Sequence, residues 1–134
     1  MRVGSLNHIS MTVNDLGRSR VFYDRLLSAL GYRLLFETDH SFGYRGADGL
    51  KLFFAIAREE RRKEAFDRYR VGLHHLALNA PDRSFVDSVH QKLVEWGVTV
   101  LDAPAEYPQY EPGYYAVFFL DPDGIKLEVV HIGF

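Results

Sequence analysis

Three side chains that could bind a metal ion, His8, His75 and Glu128, stand at related positions in a chain of 134 residues. His8 lies in the string LNHI at residues 6–9, and His75 lies in the similar string LHHL at residues 73–76. Two imidazoles and one carboxylate on one face leave positions of an octahedral ion open for a substrate, water or dioxygen. Taken singly, His8 and His75 are more simply explained as histidines of the core, and Glu128 as a carboxylate at the rim of the sheet. The related positions of all three favour a divalent metal site. The donor set does not distinguish iron, manganese, zinc and nickel.

Strand periodicity predicts that these three side chains converge. Apolar residues alternate with each of them, as expected for strands that are buried on one face. Successive side chains of a strand point to opposite faces, so Leu127 and Val129 should face a helix and Glu128 the other side. The same parity turns His8 and His75 to that side.

The other four histidines are predicted to have no chemical role. Strand parity assigns His74 and His131 to the core face, where we expect them to be structural. His40 is expected in a loop and His90 on a helix face, and exposure is the usual reason for a histidine at such positions.

The order of predicted elements repeats along the chain. Each half begins with a strand, continues with a helix that ends at Gly31 or Gly97, and finishes with three strands. The strings DGLKL at residues 48–52 and DGIKL at residues 123–127 mark equivalent hairpin turns. Matching residue types in matching order indicate an internal duplication, with chance similarity as the alternative. The helices should begin after Asn14 or Asp15 and after Pro81-Asp82, and the strands should span residues 6–13, 32–38, 42–45, 50–57, 73–79, 98–101, 114–120 and 125–132.

The repeat predicts a single α+β domain over residues 1–134, built from two tandem βαβββ modules. Module one covers residues 1–57, a charged linker covers residues 58–71, and module two covers residues 72–134. Ten of the thirteen residues 58–70 are charged, six basic and four acidic. Mixed signs favour a solvated helix over a nucleic-acid-binding arm, because phosphate binding requires unopposed Lys and Arg. Phe66 and Tyr69 are expected to hold this segment against the body of the protein.

The composition excludes some classes of site and partner. The chain has 47% hydrophobic and 25% charged residues, a formal net charge of -2 and no cysteine. Disulfides and thiolate metal sites are therefore excluded. The charge provides no general attraction to nucleic acid or to an anionic membrane. The first residues lack the apolar stretch of a signal peptide, so we expect a cytoplasmic location.

Three strings in this sequence resemble the vicinal oxygen chelate superfamily: LNHISMTVNDL at residues 6–16, Phe22-Tyr23, and LDPDGIKLE at residues 120–128. That superfamily includes glyoxalase I, methylmalonyl-CoA epimerase, extradiol dioxygenases, fosfomycin-modifying thiol transferases and bleomycin-binding proteins. The resemblance implies paired βαβββ modules that form a cupped mixed sheet with the helices on the outside. It also implies a divalent metal held by His8, His75 and Glu128, a small-molecule substrate and a homodimer. Glu128 is then the candidate catalytic residue.

Two positions depart from the patterns of well-known members. Glyoxalase and epimerase members usually carry Glu or Gln as a fourth ligand where this chain has Phe53, and a phenyl ring can neither bind metal nor shuttle a proton. Extradiol dioxygenases and fosfomycin transferases commonly carry a tyrosine ten residues before the last glutamate, where this chain has Phe118. The polar and basic loop of fosfomycin enzymes is replaced by a tyrosine-rich segment at residues 106–115. The resemblance therefore predicts an enzyme of dioxygenase or lyase/transferase type that is not a typical glyoxalase I.

The candidate substrate-binding residues are Tyr114, Phe53 and Phe118, which strand parity directs toward the candidate metal. The tyrosine-rich segment is either a turn-rich connection covering the core or a wall of a substrate pocket. As a wall, its acidic and aromatic character favours a neutral or aromatic substrate over a phosphorylated one, because anions require Arg, Lys or helix N-termini. The alternative function is metal-free binding of a small hydrophobic molecule, as in bleomycin-resistance proteins.

Overall fold

A computed structural model describes residues 3–133 of the chain. It contains two helices, one short 3-10 turn and eight strands within those residues. The helices are α1 (Leu16–Ala29) and α2 (Arg83–Glu95), and the 3-10 turn spans Glu59–Arg61. The strands are β1 (His8–Val13), β2 (Arg33–Glu37), β3 (Ser41–Arg45), β4 (Lys51–Ile56), β5 (Leu76–Asn79), β6 (Val100–Glu106), β7 (Tyr114–Leu120) and β8 (Lys126–Ile132).

The strands form two four-stranded mixed sheets with the same topology. One sheet has the order β1-β4-β3-β2 and the other the order β5-β8-β7-β6. In each sheet the first strand pairs in parallel with the last, and the remaining pairs are antiparallel. The chain divides into two compact units between Glu64 and Ala65, with one sheet in each. The predicted α+β class and the duplicated βαβββ order are confirmed.

Local signals in the sequence account for the ends of both helices. The Asp15 carboxylate accepts a hydrogen bond from the Arg18 amide at 3.0 Å, and the Asp82 carboxylate accepts one from the Phe85 amide at 2.8 Å. Each bond satisfies a donor that the first helical turn leaves unpaired. The Phe85 amide and the Ser84 hydroxyl also lower the pKa of Asp82. The helices end before glycines with positive φ, Gly31 at +87° and Gly97 at +71°.

In the first unit, contacts with α1 identify which face of the sheet is covered. The Tyr44 hydroxyl donates to the Asp24 carboxylate on α1 at 2.8 Å, and the Phe54 and Tyr23 rings have centroids 4.1 Å apart. Alternation along β3 and β4 therefore turns the intervening residues to the opposite face, which we call the open face. The β4 residues on the open face of the first sheet are Lys51, Phe53 and Ala55.

In the second unit, α2 covers the equivalent face. The Tyr115 hydroxyl on β7 donates to the Asp87 carboxylate on α2 at 2.6 Å. Tyr114 and Phe118, which alternate with Tyr115, therefore lie on the open face of the second sheet. Glu128 is the register partner of Phe118 and shares that face.

The two DG turns have the same hydrogen-bond pattern. The Gly49 amide donates to the Gly46 carbonyl at 3.0 Å, and the Gly124 amide donates to the Asp121 carbonyl at 3.1 Å. Both glycines have positive φ, +92° and +86°, a conformation that side chains with a Cβ rarely adopt. The turns thus set the same register for β3–β4 and β7–β8, as the sequence repeat predicts.

The charged segment between the modules differs from its prediction. The 3-10 turn covers three residues and the remainder is irregular, so the predicted solvated helix is wrong. Tyr69 is 77% exposed and its ring lies beside the Arg68 guanidinium, so it does not hold the segment in place. Phe66 is 38% exposed, and its amide donates to the Asp123 carbonyl at 3.1 Å. The backbone, more than either ring, attaches this segment.

The two helices are too short and too polar to cross a membrane, and no other helix among residues 3–133 could do so.

Candidate metal and substrate site

Glu128 is the most buried charged side chain of the candidate site, with 1% of its surface exposed. One carboxylate oxygen, Oε1, lies 3.0 Å from Nε2 of His75. The other, Oε2, accepts a hydrogen bond from the Tyr114 hydroxyl. A carboxylate at this depth requires such partners, because burying an unpaired charge is costly. Both oxygens of Glu128 are therefore oriented by neighbours within the second unit.

His75 is held from both ring nitrogens. Its Nδ1 lies 2.8 Å from Nδ1 of His74, while its Nε2 faces Glu128. His74 is exposed, so its predicted place in the core is wrong. The physical reason is that β5 begins only at Leu76, and strand alternation does not extend back to His74. Partial desolvation and the nearby basic groups Lys126, His75 and Arg68 lower the pKa of His74.

His8 has a matching arrangement in the first unit. Its Nδ1 lies 2.8 Å from Oδ1 of Asn7, the residue that precedes it in the chain. With the proton on Nδ1 donated to this amide oxygen, the Nε2 lone pair of His8 would be available to a ligand. In both units the residue before the histidine engages Nδ1, which sequence reasoning did not foresee.

A cavity of about 370 Å³ opens beside Glu128 in the second unit. The rings of Tyr107 and Tyr110 are stacked, with centroids 5.4 Å apart, and Tyr107 packs edge-on against Phe118 at the same separation. The tyrosine-rich segment has features of both alternatives: Tyr107, Tyr110 and Tyr114 line the cavity, and Tyr107 and Tyr114 also pack against buried residues of the core. The cavity is lined by His74, His75, Asp102, Tyr107, Tyr110, Tyr114, Phe118, Lys126 and Glu128.

Tyr114 and Phe118, two of the predicted substrate-binding residues, line this cavity in different ways. Burial, followed by the hydrogen bond to Glu128, raises the pKa of Tyr114, so its hydroxyl remains a donor at neutral pH. The Phe118 ring is 5% exposed and lies 4.7 Å from the ammonium of Lys126. Lys126 escaped sequence reasoning, although it has the same strand parity as Glu128 and could have been found from it.

Phe53, the third predicted substrate-binding residue, lies on the open face of the first sheet. Its ring is 4.9 Å from the His8 ring and 5.5 Å from the Phe36 ring, measured between centroids. Gly43 makes this packing possible, because a Cβ there would lie 2.5 Å from Cε1 of Phe36 and 2.7 Å from Cδ1 of Phe53. The Phe53 ring thus provides apolar surface beside His8 on the open face.

The remaining histidines lie outside the candidate site. His131 is half-buried, with Nδ1 3.3 Å from the Ala80 carbonyl, in keeping with a structural role. His40 is exposed, as expected, whereas His90 on α2 is half-buried.

The donor atoms of the second unit fit a divalent ion. Nε2 of His75 and Oε1 of Glu128 are 3.0 Å apart, and adjacent ligands of an octahedral ion with bonds of about 2.1 Å lie about 3 Å apart. Within each unit, over residues 3–133, no group of three or more His, Cys, Asp or Glu side chains forms a metal site. His75 and Glu128 belong to the second unit and His8 to the first.

Known proteins resemble this chain over nearly its whole length. It is 35% identical to the YqjT protein of Bacillus subtilis (strain 168) over 125 residues, which are 93% of this chain and 97% of that protein. It is 30% identical to the metallothiol transferase FosB of Lysinibacillus sphaericus (strain C3-41) over 128 residues, covering 96% of this chain and 82% of the relative. The crystal structure of a glyoxalase-like protein from Bacillus halodurans superposes with a TM-score of 0.83 at 34% identity, covering 96% of both chains.

The profile of one protein family matches residues 5–129. The match includes His8, His75 and Glu128 and extends over all eight strands except the end of β8. The chain belongs to the Glyoxalase/Bleomycin resistance protein/Dioxygenase superfamily.

Proposed function

We propose that this protein is a metal-dependent enzyme acting on a small oxygen-bearing substrate that chelates a divalent ion held by His8, His75 and Glu128. The observation that carries the proposal is the buried Glu128 carboxylate, which faces His75 Nε2 at 3.0 Å beside a cavity of about 370 Å³. A carboxylate and an imidazole at this separation could bind one ion. When bound, such an ion polarises a substrate oxygen or stabilises an oxyanion.

The protein's own residues have separate tasks in this proposal. His8 and His75 supply imidazole nitrogens, and Asn7 and His74 hold those rings through Nδ1. The Tyr114 hydroxyl keeps Oε2 of Glu128 occupied and so limits the directions in which this carboxylate can donate electrons. Hydrogen bonds to the side chains that hold a metal orient those ligands and tune their basicity.

The wall of the cavity would position the substrate. Tyr107, Tyr110 and Phe118 present aromatic surface next to Glu128. Such surface binds the apolar part of a small molecule and excludes water from the reacting groups. FosB, one of the relatives, is a metallothiol transferase. Transfer of a thiol and dioxygen-dependent cleavage are the two reaction types to screen first.

The proposal is tested by metal analysis of protein purified without a histidine tag. We expect the wild-type protein to hold one divalent ion per chain and the His75→Ala variant to lose it while retaining its circular dichroism spectrum. His40→Ala is the matched control, because His40 is exposed and its ring has no bonding partner among residues 3–133. One tightly held ion per chain in His75→Ala would show that the assigned site is wrong.

A second candidate function is metal-free binding of a flat hydrophobic molecule. The observation in its favour is the stacked pair Tyr107–Tyr110, which forms an aromatic surface in a cavity where Glu128 is already paired with Tyr114 and His75. Quenching of tyrosine fluorescence by an aromatic ligand, equally strong with and without a chelator, together with no bound metal, would favour this function over the first.

The proposed ligand set also bears on assembly. Since His8 comes from one kind of unit and His75 with Glu128 from the other, the units could pair within one chain or between two chains. We propose a symmetric homodimer, the commonest closed assembly. Sedimentation should therefore give twice the monomer mass of 15.4 kDa at micromolar concentration. A metal-bound monomer would contradict the dimer and leave the ligand assignment intact.

A further inference from the structure

We propose that the open face of the first sheet binds the anionic group of a small molecule through Arg33, Arg45 and Lys51. These side chains continue a row that begins at His8, one of the proposed metal ligands. The inference deepens the proposed function and rests on it in one respect, because it takes the anionic molecule to be the substrate of that site. The anion-binding chemistry itself is independent of any metal.

Strand register places four basic residues in one row across the first sheet. His8 on β1 is the partner of Lys51 on β4, Lys51 is the partner of Arg45 on β3, and Arg45 is the partner of Arg33 on β2. Register partners on adjacent strands point to the same side of a sheet. All four side chains therefore belong to the open face, the one that also carries Phe53.

The three cations lack acidic partners. Other basic side chains form ion pairs, as in Arg20 with Glu37 and Arg83 with Glu106. Among residues 3–133, no carboxylate lies within ion-pair distance of Arg33, Arg45 or Lys51. Like charges directly opposite each other on neighbouring strands are destabilising. A bound anion would offset this repulsion between the basic side chains.

The two arginines also share a space that could hold an anion. Arg33 and Arg45 line a depression of about 460 Å³ whose other walls are Gly31, Gly46 and Ala47. The space beside the Gly31 Cα is open, whereas the Tyr32 ring and the Asp48 carboxylate lie beside Gly46. A guanidinium presents paired N–H donors that match the oxygens of a carboxylate or a phosphate. The chemistry recognised is therefore an oxyanion able to accept two or more such bonds.

The row is a property of the first unit and does not follow from the duplication. In the second unit the counterpart of Lys51 is Lys126, but its partner on the neighbouring strand is Leu120. An arginine at this position therefore occurs in the first unit and not in the second. Adjacent strands lie about 4.8 Å apart, so Arg45 and Arg33 stand on strands about 10 and 14 Å from that of His8.

This spacing defines the class of substrate. One end would carry the oxygen atoms that meet the metal ligands, and the other end, about 10 to 14 Å away, would carry a carboxylate, phosphate or phosphonate. The tyrosine-rich segment of the second unit predicts a neutral or aromatic substrate, whereas Arg33 and Arg45 of the first unit predict an anionic group on it.

The test measures anion binding to metal-free protein, so that neither the ion nor catalysis contributes. Inorganic phosphate and malonate would be titrated separately, by calorimetry and by thermal unfolding, with sodium chloride at equal ionic strength as reference. We expect at least one of the two anions to raise the unfolding temperature beyond chloride, because a ligand of the native state stabilises it. The anion that raises the unfolding temperature more shows whether the site prefers a tetrahedral group, as in phosphate, or a carboxylate, as in malonate.

Variants assign the binding to the row. Arg33→Gln with Arg45→Gln should weaken anion binding by roughly tenfold or more, since charge-assisted hydrogen bonds are lost. The matched control is Arg58→Gln, an exposed arginine of the same unit outside the row. Arg33→Lys with Arg45→Lys keeps the charge and loses the paired donors, so it should also bind more weakly and serves if the glutamine variant fails to fold.

Two results would overturn the inference. If phosphate and malonate stabilise no more than chloride does, the row is only a set of solvated charges on the face of the sheet. If Arg58→Gln reduces binding as much as the double variant, the effect is general surface charge. Either result would leave metal binding by His75 and Glu128, measured separately, unaffected.

Discussion

The two units have the same framework and differ in the chemistry of their open faces. Position by position, Glu128 in the second unit corresponds to Phe53 in the first, and Leu120 corresponds to Arg45. The strand β7 has seven residues where β3 has five, and the extension supplies Tyr114, whose hydroxyl reaches Glu128. The second unit thus has a buried carboxylate with an aromatic wall, and the first has the apolar surface of Phe53 next to a basic row.

This difference shows which features a duplicated module can change without losing its fold. The helix caps, the DG turns and the histidine held through Nδ1 occur in both units. All of them define the backbone path or the orientation of one ring. The open-face residues have diverged although some of them, such as Phe118 and Glu128 at 5% and 1% exposure, are buried.

The largest expected effect follows from Phe53 in place of an acidic residue. A glyoxalase-type enzyme needs a base on the side of the metal opposite Glu128, and the open-face residues of β4 provide none. We predict negligible lactoylglutathione formation from methylglyoxal and glutathione with nickel, zinc, cobalt or manganese supplied. The loss of a general base costs on the order of a hundred- to ten-thousandfold in rate. Turnover on the order of tens per second, typical of enzymes, would contradict the argument.

A Phe53→Glu variant sharpens this prediction, because it gives the first unit the carboxylate that the second unit has. If Phe53 is what excludes the proton transfer, the variant should gain measurable activity in the same assay. Its fold must be checked by circular dichroism, since Phe53 packs against Phe36 and His8.

The next effect concerns the two neighbouring tyrosines of β7, which point to opposite faces. Tyr114→Phe removes the hydroxyl that donates to Glu128 and should weaken metal binding by about 10- to 100-fold, the usual effect of losing a hydrogen bond to a metal ligand. Tyr115→Phe removes the bond to Asp87 on α2 and should leave metal binding unchanged. Metal titration of both variants measures the contrast, and equal losses would mean that Tyr114 acts only through the fold.

The smallest expected effect concerns the helix N-caps, a feature that both units share. Asp15→Ala and Asp82→Ala each remove a helix N-cap, and each should lower the midpoint of thermal unfolding by a few degrees. Because hydrogen bonds lower the folded-state pKa of Asp82, its contribution is present above its unfolded pKa and is lost as the pH falls through the folded value. Unequal losses near neutral pH would show that the two helices do not contribute alike.

Sequence reasoning failed where a residue lies outside a regular element. His74 was assigned to the core by alternation, yet the strand begins two residues later, and the ring instead engages His75. Tyr69 was expected to pack and is exposed. Charge and aromatic content describe such segments, but tertiary contacts determine their conformation. The ligand roles of His8, His75 and Glu128 stay predictions.

The sequence by itself determined the element order, the duplication, the helix caps and the two DG turns. These depend on periodicity and on residues close together in the chain, which act through local backbone geometry. Only the tertiary structure decided that Tyr114 donates to Glu128, fourteen residues away, and that Arg33, Arg45 and Lys51 share a row. Those contacts depend on strand register and on the bulge in β2, which no single segment of sequence specifies.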